Sequence, residues 1–204
     1  MPMQIKYPLL SLSRLRMETD GDGVTTLVAG AGCPLACQYC INREVLQRQP
    51  EWVTPEELYA RTKIDDLYFR ATGGGLCFGG GEALLHTAFY KAFRPLCPDW
   101  LLCAETSLAV PRAAVELAAE TLDTFIVDIK TDDPEIYHSY TGGELSLARE
   151  NLCWLLANID PDKITVRVPL IPGYNTPVIQ KKTVQAVKEL GAVHVDAFSY
   201  IVRE

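Results

Sequence analysis

Long apolar runs are missing from this sequence. The longest are a few residues, too short to cross a bilayer as a helix. The opening stretch, MPMQIKYPLLSLSRLRMETDGDG, lacks the apolar core and small-residue cleavage site of a secretory signal, so a cytoplasmic location is expected. Positive charge is in deficit. With 19 Lys and Arg against 26 Asp and Glu, the formal charge is −7, which argues against a nucleic-acid partner with its usual need for a basic face. Internal repeats and low-complexity segments are absent. A matched set of cysteines is absent too: there are seven, an odd number that fits reduced thiols or metal ligands better than a disulfide framework.

What is present is an ordinary globular balance, 48% hydrophobic and 22% charged over 204 residues. That length suggests a single domain, residues 1–204, able to bury a core without disulfides. Short apolar, β-rich runs alternate with helical patterns. The strand candidates are Val24–Ala29, Leu76–Gly79, Trp100–Glu105, Thr124–Ile129, Ile164–Leu170 and His194–Tyr200. Near-continuous apolar strands imply burial on both faces, as in a parallel sheet. Between them, TPEELYARTKIDDLYF reads as a helix capped by Thr54, with Pro55 at its first position and Glu57 completing a capping box. ALLHTAFYKAF, PRAAVELAAETL, LSLARENLCWLLANI and TPVIQKKTVQAVKEL carry apolar residues at helical spacing, the last ending near Gly191. The class is α/β. Six strands are too few for a closed eight-strand barrel, which leaves a partial, open-sided (β/α)6 barrel of mostly parallel strands or a doubly wound sheet. In either, a site is expected at the C-terminal strand ends.

The polar candidates fall there. Cys33, Cys37 and Cys40 follow the first strand as GCPLACQYC, spaced C-x3-C-x2-C. Gly79-Gly80-Gly81-Glu82 follows the second, Glu105-Thr106 ends the third, and Asp128-Ile129-Lys130 ends the fourth. Arg167 and Pro169 lie on the fifth. Thiolates suit zinc or iron–sulfur clusters. A closed zinc site needs four ligands, and no second Cys or His pair supplies the rest, although His86 and Cys77 remain candidates in space. Cys77, Cys97, Cys103 and Cys153 read as small buried hydrophobes. A cubane [4Fe–4S] cluster is the other reading. Three thiolates would leave one iron open to a small molecule.

The triplet, with an aromatic residue before its last cysteine, resembles the signature of the radical S-adenosylmethionine (radical SAM) superfamily. GGGLCFGGGEALL resembles its Gly-Gly-Glu segment. METDGDGVTTLVAGAGCPLACQYCINRE, IVDIKTDDPEIYHSYTGG and RVPLIPGYN resemble one branch, the pyruvate formate-lyase activating enzymes and other activases of glycyl-radical enzymes. The similarity runs from about Asp20 to Tyr200, with motifs in order.

The resemblance implies a [4Fe–4S] cluster held by Cys33, Cys37 and Cys40, with S-adenosylmethionine as the missing ligand. Reductive cleavage gives a 5′-deoxyadenosyl radical that takes hydrogen from a substrate, in this branch a glycine of a partner glycyl-radical enzyme. An electron donor such as flavodoxin or ferredoxin is implied as well. Gly80, Gly81 and Glu82 would face the methionine amino group, and Lys130 its carboxylate. Glu105, Thr106 and Asp128 match positions that hold a monovalent cation, although the branch more often has Asp at position 105. Arg167 and Pro169 would line the cofactor pocket, with Tyr39 and Asn42 near the adenine. Tyr137, Tyr140 and Trp154 read as packing residues.

Departures from the branch leave the substrate open. Asp22-Gly23-Val24 stands where it has Pro-Gly-Ile, Ile41 where it has His, Ala83 where it has Pro, and Ile201 where His often follows Tyr. The competing readings are a radical SAM enzyme for a peptide or small molecule, and a metal-binding protein without catalysis.

Overall fold

The computed structural model describes residues 5–17 and 19–200. Met1–Gln4 and the expectation at Ile201 lie outside them. One eight-stranded sheet has the order β3-β1-β2-β4-β5-β6-β7-β8. Its parallel part is β2 (Val24–Gly30), β4 (Gly75–Gly80), β5 (Leu101–Thr106), β6 (Thr124–Asp128), β7 (Ile164–Leu170) and β8 (His194–Ser199). These are the six expected strands, each within a residue or so of its predicted bounds. They lie side by side in chain order. A doubly wound sheet reverses its order at a switch point; this one does not. Right-handed crossovers without a reversal place every connecting helix on the same face, so the other face is left as the inside of an open, partial barrel.

Two antiparallel strands extend the sheet and were not expected. β1 (Tyr7–Met17) pairs with β2, and the short β3 (Glu51–Val53) pairs with β1. The register of β1 shifts between Leu9 and Ser11 and again between Ser13 and Arg16, and Leu15 has φ 54°. Those irregularities break the period-two pattern by which a strand is recognised.

Along each parallel strand the side chains alternate between two environments. Val28, Phe78, Leu102, Phe125, Val127 and Val166 point into the main core beneath the helices. Their neighbours point inward: Leu27, Cys77, Cys103 and Ile126 form a small apolar floor. Glu105, Asp128 and Arg167 form the layer above it, facing a cavity. Tyr7 anchors β1 by inserting its ring beside Phe78 and Phe89 and donating to the Val28 carbonyl at 3.3 Å. Gly30 has no side chain because a Cβ there would run into the Tyr7 hydroxyl.

The helices are α1 (Arg43–Leu46), α2 (Pro55–Thr62), α3 (Asp66–Thr72), α4 (Thr87–Phe93), α5 (Arg112–Ala119), α6 (Pro134–Thr141), α7 (Leu145–Asn158) and α8 (Pro177–Glu189). The Thr54–Glu57 capping box is present. The single helix expected over residues 54–69 is instead two, broken by a 3-10 turn at Lys63–Asp65. The break carries Asp65 inward, where its buried carboxylate accepts from Arg14 at 2.5 and 2.8 Å and from Thr26. Helix α6 was also not expected. It is opened by the Asp133 side chain, which accepts from two backbone amides, and closed by Gly142 at φ 71°. Among the described residues no helix is long and apolar enough to cross a membrane.

Candidate functional site

A cavity of about 630 Å³ opens at the C-terminal rim of the parallel strands. That volume is within the ordinary range for small-molecule sites. Cys33, Cys37 and Cys40 line it from the loop after β2. Gly80, Gly81 and Glu82 line it from the end of β4, Glu105 and Thr106 from β5, Asp128 and Lys130 from β6, and Arg167 from β7. Tyr39 and Asn42 complete the expected set on its wall. Pro169 is not part of the wall. It is buried near the end of β7, and its carbonyl accepts from Asn175 at 3.0 Å.

The cysteine loop has no regular structure and is held from outside itself. The Ala36 and Gln38 amides donate to the Thr141 and Tyr140 carbonyls at the end of α6, at 2.7 and 3.0 Å. Gly143 has no side chain, and a Cβ there would meet Leu35 in the middle of the loop. The Tyr-Thr-Gly-Gly segment is thus a seat for the loop. On the other side, the Asn42 amide donates to the Gly80 carbonyl at 2.8 Å. Arg43 donates to the Cys37 and Gln38 carbonyls.

The Gly-Gly-Glu turn is packed against the same loop. The Gly81 and Glu82 amides donate to the Gly30 and Gly32 carbonyls at 3.0 and 2.8 Å, and a Cβ on Gly81 would collide with the Gly32 carbonyl oxygen. Glu82 is buried, and its carboxylate is already satisfied. One oxygen accepts from Leu84 N and Thr106 Oγ1, the other from Ser107 N and Oγ, all at 2.6–3.0 Å. Glu82 and Thr106 therefore use their side chains to tie the β4 and β5 ends together.

Lys130 is buried between Asp128, at 3.3 Å, and the Tyr200 hydroxyl, at 2.9 Å. Burial pulls its ammonium pKa down, but Asp128 and Tyr200 outweigh burial and hold it above the usual lysine range. Arg167 spans the lumen. It pairs with Glu105 at 2.9 Å and donates to the Thr19 carbonyl in the β1–β2 turn. Burial pushes the Glu105 carboxyl up, opposed by Arg167 and reinforced by Asp20 and Asp128. Burial also raises the thiol pKa values of Cys33 and Cys37, that of Cys37 to about 11 with Lys130 opposing. Of the residues expected to cradle a monovalent cation, Glu105 pairs through one oxygen with Arg167, Thr106 donates to Glu82, and Asp128 pairs through one oxygen with Lys130.

Other wall residues were not anticipated. Arg16 pairs with the buried Asp20 in the β1–β2 turn, and Asp196 and Phe198 come from β8. Strand alternation predicts the last two, since residues 196 and 198 share the inward face. The Arg16–Asp20 pair followed from no sequence signal, because β1 itself went unrecognised. Tyr140 is packed against Tyr39 and Tyr174, as a packing residue should be, but it also lines the cavity.

The two residues left open as a fourth zinc ligand are engaged elsewhere. His86 contacts the Ala31 carbonyl at 2.9 Å, and Cys77 is buried in the floor beside Cys103. Cys153 is exposed, against the expectation of burial. Among the described residues no group of three or more Cys, His, Asp or Glu side chains gathers as a site for a single metal ion.

The radical SAM superfamily is matched over residues 27–181. The pyruvate formate-lyase 2-activating enzyme of Escherichia coli (strain K12) is 27% identical over 188 residues, covering 76% of this chain and 64% of its own length. The (2S)-3-sulfopropanediol dehydratase activating enzyme of Klebsiella oxytoca is 33% identical over 126 residues, covering 61% of this chain and 39% of its own. The chain thus spans less than two thirds of the length of either relative. The crystal structure of Streptococcus suis SuiB bound to precursor peptide SuiA superposes with a TM-score of 0.65 at 11% identity, over 86% of this chain and 38% of that one. Likeness at that identity concerns the fold alone.

Proposed function

The chain belongs to the radical SAM superfamily, and from that premise we propose that it is an activase-like enzyme whose substrate is a glycine of a partner glycyl-radical enzyme. One observation carries the reading: three thiols from a single loop and the polar residues of successive strand ends line one cavity. The donor set fits a [4Fe–4S] cluster. A single tetrahedral zinc, at about 2.3 Å from each sulfur, would hold its thiolates roughly 3.8 Å apart. A four-iron cluster gives each thiolate its own iron, so the sulfurs need not converge on one point.

Cys33, Cys37 and Cys40 would hold the cluster, leaving one iron for the amino and carboxylate groups of S-adenosylmethionine. Bound there, the cluster and the cofactor would supply the radical chemistry, reductive cleavage of a sulfur–carbon bond. The chain's own residues bind and orient. Lys130, held charged by Asp128 and Tyr200, offers its ammonium to the methionine carboxylate. The Gly80 carbonyl is aligned by Asn42, and the Glu82 tie to Ser107 and Thr106 keeps that turn in place. Tyr39, half exposed beside Tyr140 and Tyr174, offers an aromatic face to the adenine. A glycine α-carbon suits hydrogen abstraction because it is unhindered and its radical is stabilised by both flanking amides. A flavodoxin- or ferredoxin-type donor would supply the electron.

A second reading, hydrogen abstraction from another peptide or a small molecule, is favoured by the departures at Asp22, Ile41 and Ala83. The test is electron paramagnetic resonance on anaerobically reconstituted, dithionite-reduced protein with and without S-adenosylmethionine, followed by incubation with a glycyl-radical enzyme. A cluster signal that changes with the cofactor, then a persistent carbon-centred radical on the partner, is expected. Cofactor cleavage without a partner radical would favour the second reading. Colourless protein containing zinc would refute both.

A further inference from the structure

The two edges of the sheet are built differently. On one side β3 is three residues long, and β1 beyond it is broken by two register shifts and carries Arg14 and Arg16. Shortness, bulges and charge are devices that stop an edge from recruiting another strand. On the other side β8 runs for six residues in unbroken parallel register with β7, without Pro, Gly, Lys or Arg. The Tyr200 amide donates to the Leu170 carbonyl of β7 at 2.9 Å. The Phe198 carbonyl lies on the same seam, where the Gln180 amide donates to it and to the Val168 carbonyl, both at 2.9 Å. Main-chain groups of successive residues alternate sides along a strand. The N–H and C=O groups of Val195, Ala197 and Ser199 therefore point away from β7. Among the described residues no strand pairs with that side, and Ala197 and Ser199 are exposed.

This unpaired row runs along the cavity wall. Asp196, Phe198 and Tyr200, the residues between, turn their side chains inward and line the cavity. A row of alternating amides and carbonyls is matched by the same row on another main chain, so the ligand it fits is an extended polypeptide. Charge narrows the choice. Asp196 is more than half exposed, and the Arg167 guanidinium it faces is 3.9 Å away. An inward charge discourages an apolar strand from adding there and complements one with Lys or Arg on its inner face. A second copy of β8 would instead bring another Asp196 to the same face, like charge beside like charge.

We propose that the free edge of β8 pairs, backbone to backbone, with an extended segment of the partner protein, which adds to the sheet and presents its glycine to the cavity with a basic side chain beside Asp196. The inference rests on the reading above that the substrate is a glycine of a polypeptide. Glycine fits the geometry, because without a side chain its α-carbon stands open to the cavity.

The test uses the full chain without cluster, isotope-labelled for nuclear magnetic resonance. The probe is the peptide acetyl-Thr-Lys-Val-Gly-Tyr-Thr-amide, whose Lys and Gly share one face of a strand. Saturable binding is expected, with amide exchange at Val195, Ala197 and Ser199 slowed at least about tenfold. Of two probes N-methylated at alternate residues, one should lose at least about tenfold in affinity and the other little. Ala197→Pro removes an N–H that β7 does not use, a change an edge strand tolerates. It should weaken the probe at least about tenfold while iron loading stays as in wild type. Should that variant not fold, the methylated probes decide on wild type. No binding at millimolar probe, binding without protection of these amides, or equal affinity for both methylated probes overturns the proposal. So does protection already present without probe, whether a second copy, seen as a dimer by sedimentation, or the chain's own residues supply it. If a glycyl-radical enzyme gains its radical equally from wild type and from Ala197→Pro, this inference fails and the activase reading stands. If the probe pairs with β8 but no glycyl-radical enzyme gains a radical, the activase reading fails and the docking edge stands.

Discussion

Glu82 offers the sharpest separation between holding the site together and touching a ligand. Its carboxylate accepts from Leu84 N, Thr106 Oγ1, Ser107 N and Ser107 Oγ. An ionised carboxylate is an acceptor at both oxygens. In Glu82→Gln one oxygen becomes an NH2 group that faces either the Ser107 amide or the Leu84 amide, donor against donor. Hydrogen bonds to a charged group contribute about 1.5–3 kcal/mol against about 0.5–1.5 for neutral ones, and an orphaned buried amide costs about 1–3 kcal/mol. Removing a buried charge offsets part of this. The net loss is about 2–4 kcal/mol. In a chain of this size each kcal/mol moves the unfolding midpoint by about 2–4 °C, so Tm should fall by roughly 4–16 °C. The assay is thermal unfolding followed by circular dichroism on protein without cluster or cofactor. A residue that served only a bound cofactor would leave that curve unmoved. A midpoint within about 1 °C of wild type would refute the reasoning. Ser107→Ala gives the control: it should cost less in the Glu82→Gln background than in wild type, because the partners act as one unit.

Two other expectations follow from the site. Cys37→Ala should abolish iron binding and cofactor cleavage with little change in far-ultraviolet circular dichroism, because the cysteine loop contributes nothing to the main core; retained cleavage would refute the ligand assignment. Lys130→Met should weaken S-adenosylmethionine binding at least tenfold by calorimetry and lower stability by about 2 kcal/mol, less than a fully buried pair would lose because Asp128 is partly exposed. The folded-state pKa of Lys130 is raised, so its contribution is fully present below the unfolded lysine pKa and is lost only as pH rises through the folded value. The Tm gap between wild type and variant should therefore stay constant from about pH 6 to 9; a gap that closes in that window would contradict the assigned charge.

The parallel part of the sheet was legible because buried parallel strands are written as continuous apolar runs, and the rim was legible because their polar residues fall at the ends. The antiparallel strand β1 was not. Its two register shifts and the positive φ of Leu15 erase the alternation that would have revealed it. The break at Lys63–Asp65 was hidden for a related reason: the helical pattern of TPEELYARTKIDDLYF is continuous, and what interrupts it is a tertiary bond from Asp65 to Arg14 on the unrecognised strand. Within the site, the sequence pointed to many of the residues that meet, though it added Pro169 and missed Arg16, Asp20, Asp196 and Phe198, and it did not say what they do there. Glu82 and Thr106 satisfy each other, and Asn42 reaches the Gly80 carbonyl, because the partners converge only after three separate loops have folded against one another.

Arg167 shows how strongly these missed elements bear on the site. A closed barrel seals its last strand to its first with backbone hydrogen bonds. Here β8 and β3 are the two ends of the sheet, and among the described residues no such ladder joins them. Arg167 acts across the gap from inside. Its guanidinium reaches from β7 to Glu105 on β5 and to the Thr19 carbonyl in the β1–β2 turn, next to the buried Asp20 that pairs with Arg16. The planar fork of a guanidinium can bond in two directions at once, which a lysine ammonium on a flexible stem does less well. The residue that resembles a cofactor contact is therefore also a crossbar of the open barrel, and the turn it grips belongs to the strand that the sequence concealed. Cavity shape and fold closure depend on the same side chain, so the charge layer above the apolar floor is as much a part of the architecture as of the site.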